Sequence, residues 1–441
     1  MVLVHVSDIH FCHGIANTQF DLDQELRSEF EADLLRLCER LDENPRGILV
    51  TGDIAFAAKE DEYKIAREWL AHLCGKLKCR ADHVWVTPGN HDIERSLHSD
   101  EFIQTLHKDI KTCELGKEND KYRKYLESQM APGLILKPLE RYASFASAYD
   151  CPVAGKRIAW TDDLELNDGS ILKLVGLNSV LVSNERDDDA SNKLVLGSFQ
   201  FSEVIRQEGV EYLSLCHHPL SWLRDASEVE KHLDAKVRIQ LFGHRHAQQI
   251  KEIGDRGVRL FAGALHPSRS EKPWSPTYNV LQINVEGEAE KRVMHLKVYT
   301  GIWDDDEKHF KPDMHNREDH RAYRFKLDPW LRPTGMSATA ESVSAEAPVE
   351  AGKKGEIRVV RGRDAYRRIT YRFLTLPYAV QLAIASNLGL LDDADKGVTD
   401  AELFGRFFRR AKERGQLAKL WVAIEHAHGN SDHGPNPFEN E

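Results

Sequence analysis

The chain has 441 residues, 41% of them hydrophobic and 30% charged, which is apolar content enough for a sizeable core and length enough for more than one domain. A formal net charge of -11 argues against holding nucleic acid by bulk electrostatics, because phosphate binding leaves a basic footprint. Seven scattered cysteines fit neither a disulfide framework nor a zinc cluster, the N-terminus carries no cleavable signal pattern, and no apolar run of about 18 residues occurs, so the expectation is a cytoplasmic protein with no membrane span.

Short runs rich in Val, Ile and Leu recur over the first three hundred residues and read as buried strands: Val2 to Ser7, Ile48 to Thr51, Val84 to Thr87, Leu172 to Leu177, Tyr212 to Cys216 and Val237 to Phe242. Between the first three, Leu26, Phe30, Leu34, Leu37 and Leu41 recur at helical steps, as do Tyr63, Ala66, Leu70, Leu73 and Leu77. A polar, helical stretch from Glu94 to about Tyr149 interrupts the strands and reads as an insertion beside the site. Strands with little helix between them follow at Arg259 to Ala262, Asn279 to Val285, Val293 to Tyr299 and Tyr323 to Leu327. The mixture predicts an α/β fold of two sheets with helices outside. Residues 332–356 have a linker composition. Tyr371 to Leu391 and Asp400 to Ile424 are apolar-periodic again, giving a small all-α domain over 357–428 and a polar tail over 429–441, after a catalytic domain over 1–331.

Five early apolar runs end in residues a divalent metal would accept: Asp8-Ile9-His10, Gly52-Asp53, Gly89-Asn90-His91-Asp92, His217-His218-Pro219 and Gly243-His244-Arg245-His246. Loops at the carboxyl ends of sheet strands form a common crevice, so residues distant in sequence converge there. Carboxylate and carbonyl oxygens with imidazole nitrogens suit a hard-to-borderline ion, and no thiolate is aligned with them. Glycine before Asp53, Asn90 and His244 permits close approach of backbone and ligand. Asp187 to Asp189 and Asp304 to Asp306 are consecutive carboxylates without ordered spacing and read as solvated loops. His5 and His13 flank the first motif and are explained by strand alternation and a glycine neighbour. Arg245, Arg269 and Lys272 read equally as phosphate contacts or solvated cations.

The ordered blocks D-x-H, GD, GNH followed by D, H, and GHxH resemble the calcineurin-like metallophosphoesterase superfamily over about residues 1 to 330. The resemblance implies a four-layer sandwich of two mixed β-sheets flanked by helices. It assigns Asp8, His10 and His246 to one metal, Asn90, His217 and His244 to the other, and Asp53 to both. His218, adjacent to the proline, falls outside the ligand set. The cofactor implied is two divalent ions, manganese first, with iron, zinc, nickel or magnesium as alternatives. His91 becomes the acid beside the leaving oxygen, with Asp92 orienting its ring, and a hydroxide held between the metals becomes the nucleophile.

Phosphoprotein phosphatases of the superfamily carry an arginine shortly after Gly-Asp that grips a doubly charged phosphate, whereas here Gly52-Asp53 runs into Ile54-Ala55-Phe56-Ala57-Ala58. With Tyr63 and the His-His-Pro block, the pattern is more similar to class III cyclic-nucleotide phosphodiesterases. The expected substrate is a phosphodiester in a nucleotide, cyclic nucleotide or nucleic acid. A metal-dependent nuclease effector, a phosphomonoesterase and a non-enzymatic scaffold are the alternatives. The C-terminal stretch, with Leu-Gly-Leu-Leu, Phe-Phe-Arg-Arg-Ala and Leu-Trp-Val-Ala-Ile, resembles the death-like adaptor domains of prokaryotic conflict effectors, which implies a protein partner through residues 357–428. Arg358, Arg361, Arg363, Arg367, Arg368 and Arg372 leave dimerisation or nucleic-acid contact as the other uses of that stretch.

Overall fold

The computed structural model describes residues 1–14, 21, 23–128, 131–155, 157–184, 186–246, 248–265, 276–332, 355–429 and 435–439. The expected linker over 332–356 lies almost wholly outside the described residues, as do Arg269 and Lys272.

The alternating start forms as the periodicity predicts: β1 (Val2–Val6), α1 (Gln24–Leu41), β2 (Gly47–Thr51), α2 (Glu60–Lys76) and β3 (Val84–Thr87). All three strands are fully buried, which is why they are continuous apolar runs rather than alternating ones. Glu62, in the first turn of α2, reaches back to accept from the backbone N–H of Lys59 at 3.0 Å and of Ala57 at 2.9 Å, fixing the loop that leads out of β2. The stretch expected as an insertion holds α3 (Glu101–Lys111), α4 (Glu118–Leu126), α5 (Ala131–Leu136) and α6 (Glu140–Ser147).

Then come β4 (Trp160–Glu165), β5 (Ile171–Gly176), β6 (Val210–Cys216), α7 (Ala226–Lys236), β7 (Ile239–Phe242), β8 (Gln249–Ile253), β9 (Gly257–Phe261), β10 (Thr277–Glu286), β11 (Val293–Asp304), β12 (His309–Pro312) and β13 (Arg321–Lys326). They make two mixed sheets. One has the order β12-β11-β10-β1-β2-β3 with β13 also on β11, and the other β4-β5-β6-β7-β9-β8. β1, β2 and β3 run parallel, as do β5, β6 and β7, so the carboxyl ends of each set point the same way. The sheets face each other across one core, tied by Trp160 Nε1 donating to Val86 O at 2.9 Å and Trp85 Nε1 to Asp162 Oδ2 at 2.7 Å. The strands β4, β8 and β12 had no apolar run to announce them. β4 (Trp-Thr-Asp-Asp-Leu-Glu) alternates buried and half-buried, and β8 is an edge strand with no buried residue.

The C-terminal region is helical: α8 (Gly355–Leu374), α9 (Tyr378–Asn387), α10 (Asp400–Glu413) and α11 (Leu417–Ala427). Each of the two apolar-periodic stretches is therefore divided, the first where Pro377 starts a new helix and the second at Gly415, whose φ of 60° ends α10. Ile369, Phe373, Phe404, Phe407, Leu420 and Trp421 form a core separate from that of the sheets. Phe438, inside the stretch read as a polar tail, is buried there against Trp421 at 6.2 Å between ring centroids.

These helices are docked on the sheet region. Arg367, 2% exposed, donates from Nη1 to the carbonyls of Asp82, Val84 and Tyr149, sets Nη2 2.9 Å from Asp162 Oδ2, and lies 5.1 Å over the Trp85 ring. Asp364 beside it meets His83 Nε2 at 3.0 Å and the Arg80 guanidinium. Arg363 pairs with Asp163 at 3.4 Å, Arg372 with Glu425, and Arg368 lies 5.1 Å over Trp421. Every arginine of the basic stretch whose side chain is described has a partner inside the fold.

Candidate metal centre

Each motif block sits just past the carboxyl end of a strand: Asp8 and His10 after β1, Asp53 after β2, Asn90 to Asp92 in a 3-10 turn after β3, His217 after β6, and His244 and His246 after β7. The two sheets bring their parallel strand ends to one crevice, and all seven sequence-predicted ligands meet there.

Asp53 Oδ1 accepts from the backbone N–H of His91 at 2.8 Å, which turns Oδ2 toward His10 Nε2 at 3.6 Å and His217 Nε2 at 3.5 Å. Asp8 Oδ2 accepts from the backbone N–H of His244 at 3.1 Å, leaving Oδ1 facing His246 Nε2 at 3.2 Å and His10 Nε2 at 3.9 Å. Asn90 Oδ1 lies 3.1 Å from both His217 Nε2 and His244 Nδ1. His217 Nδ1 must carry its proton, because it meets the Thr51 carbonyl at 2.7 Å and a carbonyl can only accept. In the neutral ring Nε2 is then a lone pair aimed at Asn90 Oδ1 and Asp53 Oδ2.

This arrangement fits cations. Donor atoms about 2.1 Å from a shared ion sit roughly 3 to 4 Å apart, the spacing found here. Asp8 Oδ1 and Asp53 Oδ2 are buried and receive no hydrogen bond. Buried acceptors facing one another without a donor cost several kcal/mol unless a positive charge lies between them, roughly the price of burying an unpaired carboxylate after relaxation. Groups of donor atoms within 4.8 Å of one another include Asp8, His10 and His246, and Asp8, Asp53 and His217. Another joins His218 to His217 and His244; His218 Nδ1 meets Ser179 Oγ at 2.9 Å and its Nε2 is buried without a hydrogen bond, so His218, which fell outside the expected ligand set, also offers a donor atom here. None of the groups among the described residues includes Asp187 to Asp189 or Asp304 to Asp306; Asp187 pairs with Lys111 and Asp304 with Lys311.

The backbone is bent to make this set. Asp8, His10, Asp53, His244 and His246 all have φ between 51° and 66°, a region that L-residues with a Cβ seldom adopt. Such strain persists only where surrounding structure over-determines it, and it gathers at functional sites. A Cβ at Gly89 would stand 2.1 Å from Asp53 Oδ1, and one at Gly243 would stand 2.1 Å from Ser7 Oγ. Those two glycines are therefore spacers.

Electrostatics follow from burial. Burial first, then the charges of Asp8 and Asp92, push the Asp53 carboxyl well up. Burial also opposes ionisation of Asp8, yet the His246 imidazole, 3.2 Å from Oδ1, and the nearby rings of His217 and His10 hold its carboxyl below the ordinary range. Burial pushes His244 down to about 3 and His91 to about 4, so both rings are neutral.

Asp92 differs from its expected role. Its carboxylate, fully buried, accepts from the backbone N–H groups of Gly89 at 2.9 Å, Ala55 at 3.0 Å and Ile54 at 3.2 Å, and from Tyr63 Oη at 3.1 Å. It pins the loops after β2 and β3 together and does not reach the His91 ring. That ring is held instead by Nδ1 donating to Phe56 O at 2.8 Å, with Arg95 Nη2 3.3 Å from Nε2. Arg95 and Phe56 escaped the sequence reading; the signals were a cation three residues past the Gly-Asn-His-Asp block and an aromatic ring in the loop after Gly-Asp.

The profile of the calcineurin-like phosphoesterase family matches residues 1–248, and that of the GTPase-associated adaptor domain matches residues 365–426. No curated protein matches the sequence. Similar solved structures include a 5'-nucleotidase from Candida albicans, 12% identical over 64% of this chain and 48% of its own, with a TM-score of 0.34. Another is a dimetal phosphatase from Danio rerio, 12% identical over 68% of this chain and 95% of its own, TM-score 0.33. Vps29 from Chaetomium thermophilum is 9% identical over 74% of this chain and 98% of its own, TM-score 0.28. The chain spans about half the length of the nucleotidases it matches, 55% for one from Staphylococcus aureus. With more than half of its residues matched by that profile, the chain belongs to the calcineurin-like phosphoesterase family.

Proposed function

We propose that this chain hydrolyses a phosphodiester of a nucleotide or nucleic acid at a pair of divalent ions, held by Asp8, His10 and His246 on one side and Asn90, His217 and His244 on the other, with Asp53 shared. The observation that carries the reading is Asp53 Oδ2, undonated and about equally far from His10 Nε2 and His217 Nε2. When bound, such a pair supplies Lewis-acid activation of water and of the phosphoryl oxygens. The donor set suits manganese, and equally iron, zinc, nickel or magnesium.

The chain's own residues do the rest. Thr51 O and the His91 N–H fix the faces that His217 and Asp53 present. Asp92 keeps the two loops in register. His91, at the rim, keeps its Nδ1 proton on Phe56 O, so it serves the leaving oxygen as a donor only when Nε2 is protonated as well. A phosphomonoester dianion calls for paired cations, and the His91 end offers the single guanidinium of Arg95, which favours the singly charged diester. The manganese-loaded protein is expected to cleave bis-para-nitrophenyl phosphate faster than para-nitrophenyl phosphate; the opposite preference sinks the diester reading.

The division proposed is a catalytic domain over 1–331, a linker, and a helical adaptor over 357–428 that binds a protein partner, with the cysteines unpaired as in the cytoplasm. The adaptor-domain profile over 365–426 supports a protein partner, and a nuclease effector recruited through that domain is the second reading. Deleting the residues after Pro333 should abolish partner capture; persistence of capture would remove the adaptor from the account.

A further inference from the structure

We propose that the rim of the crevice holds two nucleosides, one on each side of the scissile phosphate, through Phe56 with Arg95 at one end and Trp222 with Arg245 at the other. The inference rests on the phosphodiester reading above and narrows it to a phosphodiester flanked by two bases, as in single-stranded nucleic acid.

Phe56 is a large apolar ring left 39% exposed, 6.3 Å from the His10 ring and 5.6 Å from the His91 ring. Arg95 Cζ lies 5.9 Å over that ring. The rest of what the Arg95 guanidinium meets is the His91 imidazole, so no carboxylate among the described residues is in direct contact with it, although its charge acts on Asp53. On the His244 side of the crevice the half-buried Trp222 ring stands edge-on to His244, 4.2 Å between centroids, and lies 5.5 Å from the His218 ring. Arg245, next in sequence, meets only neutral groups among the described residues: Ser221 Oγ at 3.2 Å, Gln249 Oε1 at 3.1 Å and the Phe261 face at 5.2 Å. Arg224, Arg238 and Arg259 in the same half of the molecule are each paired with a carboxylate, of Glu118, Glu211 and Glu230 respectively, whereas Arg206 and Arg256, like Arg245, have no ion pair among the described residues. On a chain of net charge -11, two guanidiniums without a carboxylate contact among the described residues, beside aromatic rings on the His91 and His244 sides of one crevice, form a local anion track.

The chemistry of the track selects its ligand. Every base offers a π-face to an aromatic ring, and an arginine beside the ring meets the flanking phosphate. A cyclic mononucleotide has one base and would use one end. A duplex keeps its bases stacked inward and could use neither ring.

The test is equilibrium binding of a fluorescent phosphorothioate oligothymidylate to the manganese-loaded full chain, read by anisotropy, for wild type, Phe56→Ala and Arg245→Gln. Each substitution should weaken the single strand about tenfold, since stacking is worth about 1 to 3 kcal/mol per base and tenfold is about 1.4 kcal/mol. The wild type should also bind the corresponding duplex more weakly. If both variants stay within about twofold of wild type, the rim plays no part. A loss in Phe56→Ala alone reduces it to a one-base site and overturns the two-sided track. Failure of the wild type to bind while it still cleaves bis-para-nitrophenyl phosphate overturns this inference and leaves the phosphodiester reading standing; preference for the monoester removes both.

Discussion

Two regions of this molecule bury charge, and they treat it in opposite ways. Where α8 meets the sheets, Arg367 is almost wholly buried; Nη1 donates to three carbonyls and Nη2, without a hydrogen bond of its own, is neutralised by the Asp162 carboxylate 2.9 Å away. In the crevice, Asp8 Oδ1 and Asp53 Oδ2 are equally inaccessible and receive no hydrogen bond. Native interiors satisfy their buried polar groups, so the first pattern is structural and the second calls for a ligand. The backbone agrees: five of the proposed metal ligands in the crevice have positive φ, whereas Arg367 sits in a regular helix. The lesson is that burial of charge alone does not mark a site; burial without a partner, on a strained frame, does.

The sharpest way to break this comparison is Asp53→Asn. It removes the carboxylate proposed as shared, and we expect kcat/KM to fall by about a thousandfold or more, a barrier increase of about 4 kcal/mol, with metal content reduced by elemental analysis. Retention of both would return Asp53 to a structural role. Next is Arg367→Ala, which leaves Asp162 buried without its cation; removing one partner of a buried pair typically costs about 3 to 5 kcal/mol. Calorimetry should show a marked loss of stability, and Arg367→Lys should not restore it, because a compact ammonium cannot serve three carbonyls and a carboxylate from one plane. An unchanged transition would mean the α8 interface contributes little.

A smaller effect is expected of pH. Burial works against ionisation of Asp364, but the hydrogen bond from His83 and the Arg80 charge hold its carboxyl below the ordinary 3.8. A carboxyl depressed in the folded state contributes stability above its unfolded value and loses it as pH falls through the folded one. The difference in melting temperature between wild type and Asp364→Asn should therefore be present near neutrality and shrink below about pH 4. A difference independent of pH would assign the effect to packing. Least of all should follow from Lys396→Ala, which breaks an exposed pair with Asp393 and should change stability by less than about 0.5 kcal/mol. Any larger loss would show that exposed pairs in the helical region matter as the buried ones do.

Much of the crevice is legible in the sequence. Buried parallel strands are unbroken apolar runs, and a polar residue where such a run ends can only sit at the sheet's edge. Asp8, Asp53, Asn90 and His217 were found that way. The β4 strand escaped because its polar Thr161 and Asp163 face partly outward, and β8 because it has no buried residue at all. Asp92 was misread for a related reason. Adjacency to His91 in sequence implied contact, but the 3-10 turn points their side chains apart, and the Asp92 carboxylate turns inward to the N–H groups of Gly89, Ile54 and Ala55.

Sequence by itself determined the alternation of strand and helix, the helical C-terminal stretch and the residue types of the metal centre, because apolar period and the chemistry of donor atoms are local properties. Tertiary structure alone decided that Asp53 Oδ2 faces two imidazoles at once, that Arg95 and Phe56 close over His91, and that Arg363, Arg367, Arg368 and Arg372 of α8 find partners within the fold. Those outcomes depend on how two sheets and a helix meet, and the vector between distant side chains is set by packing that no linear pattern encodes.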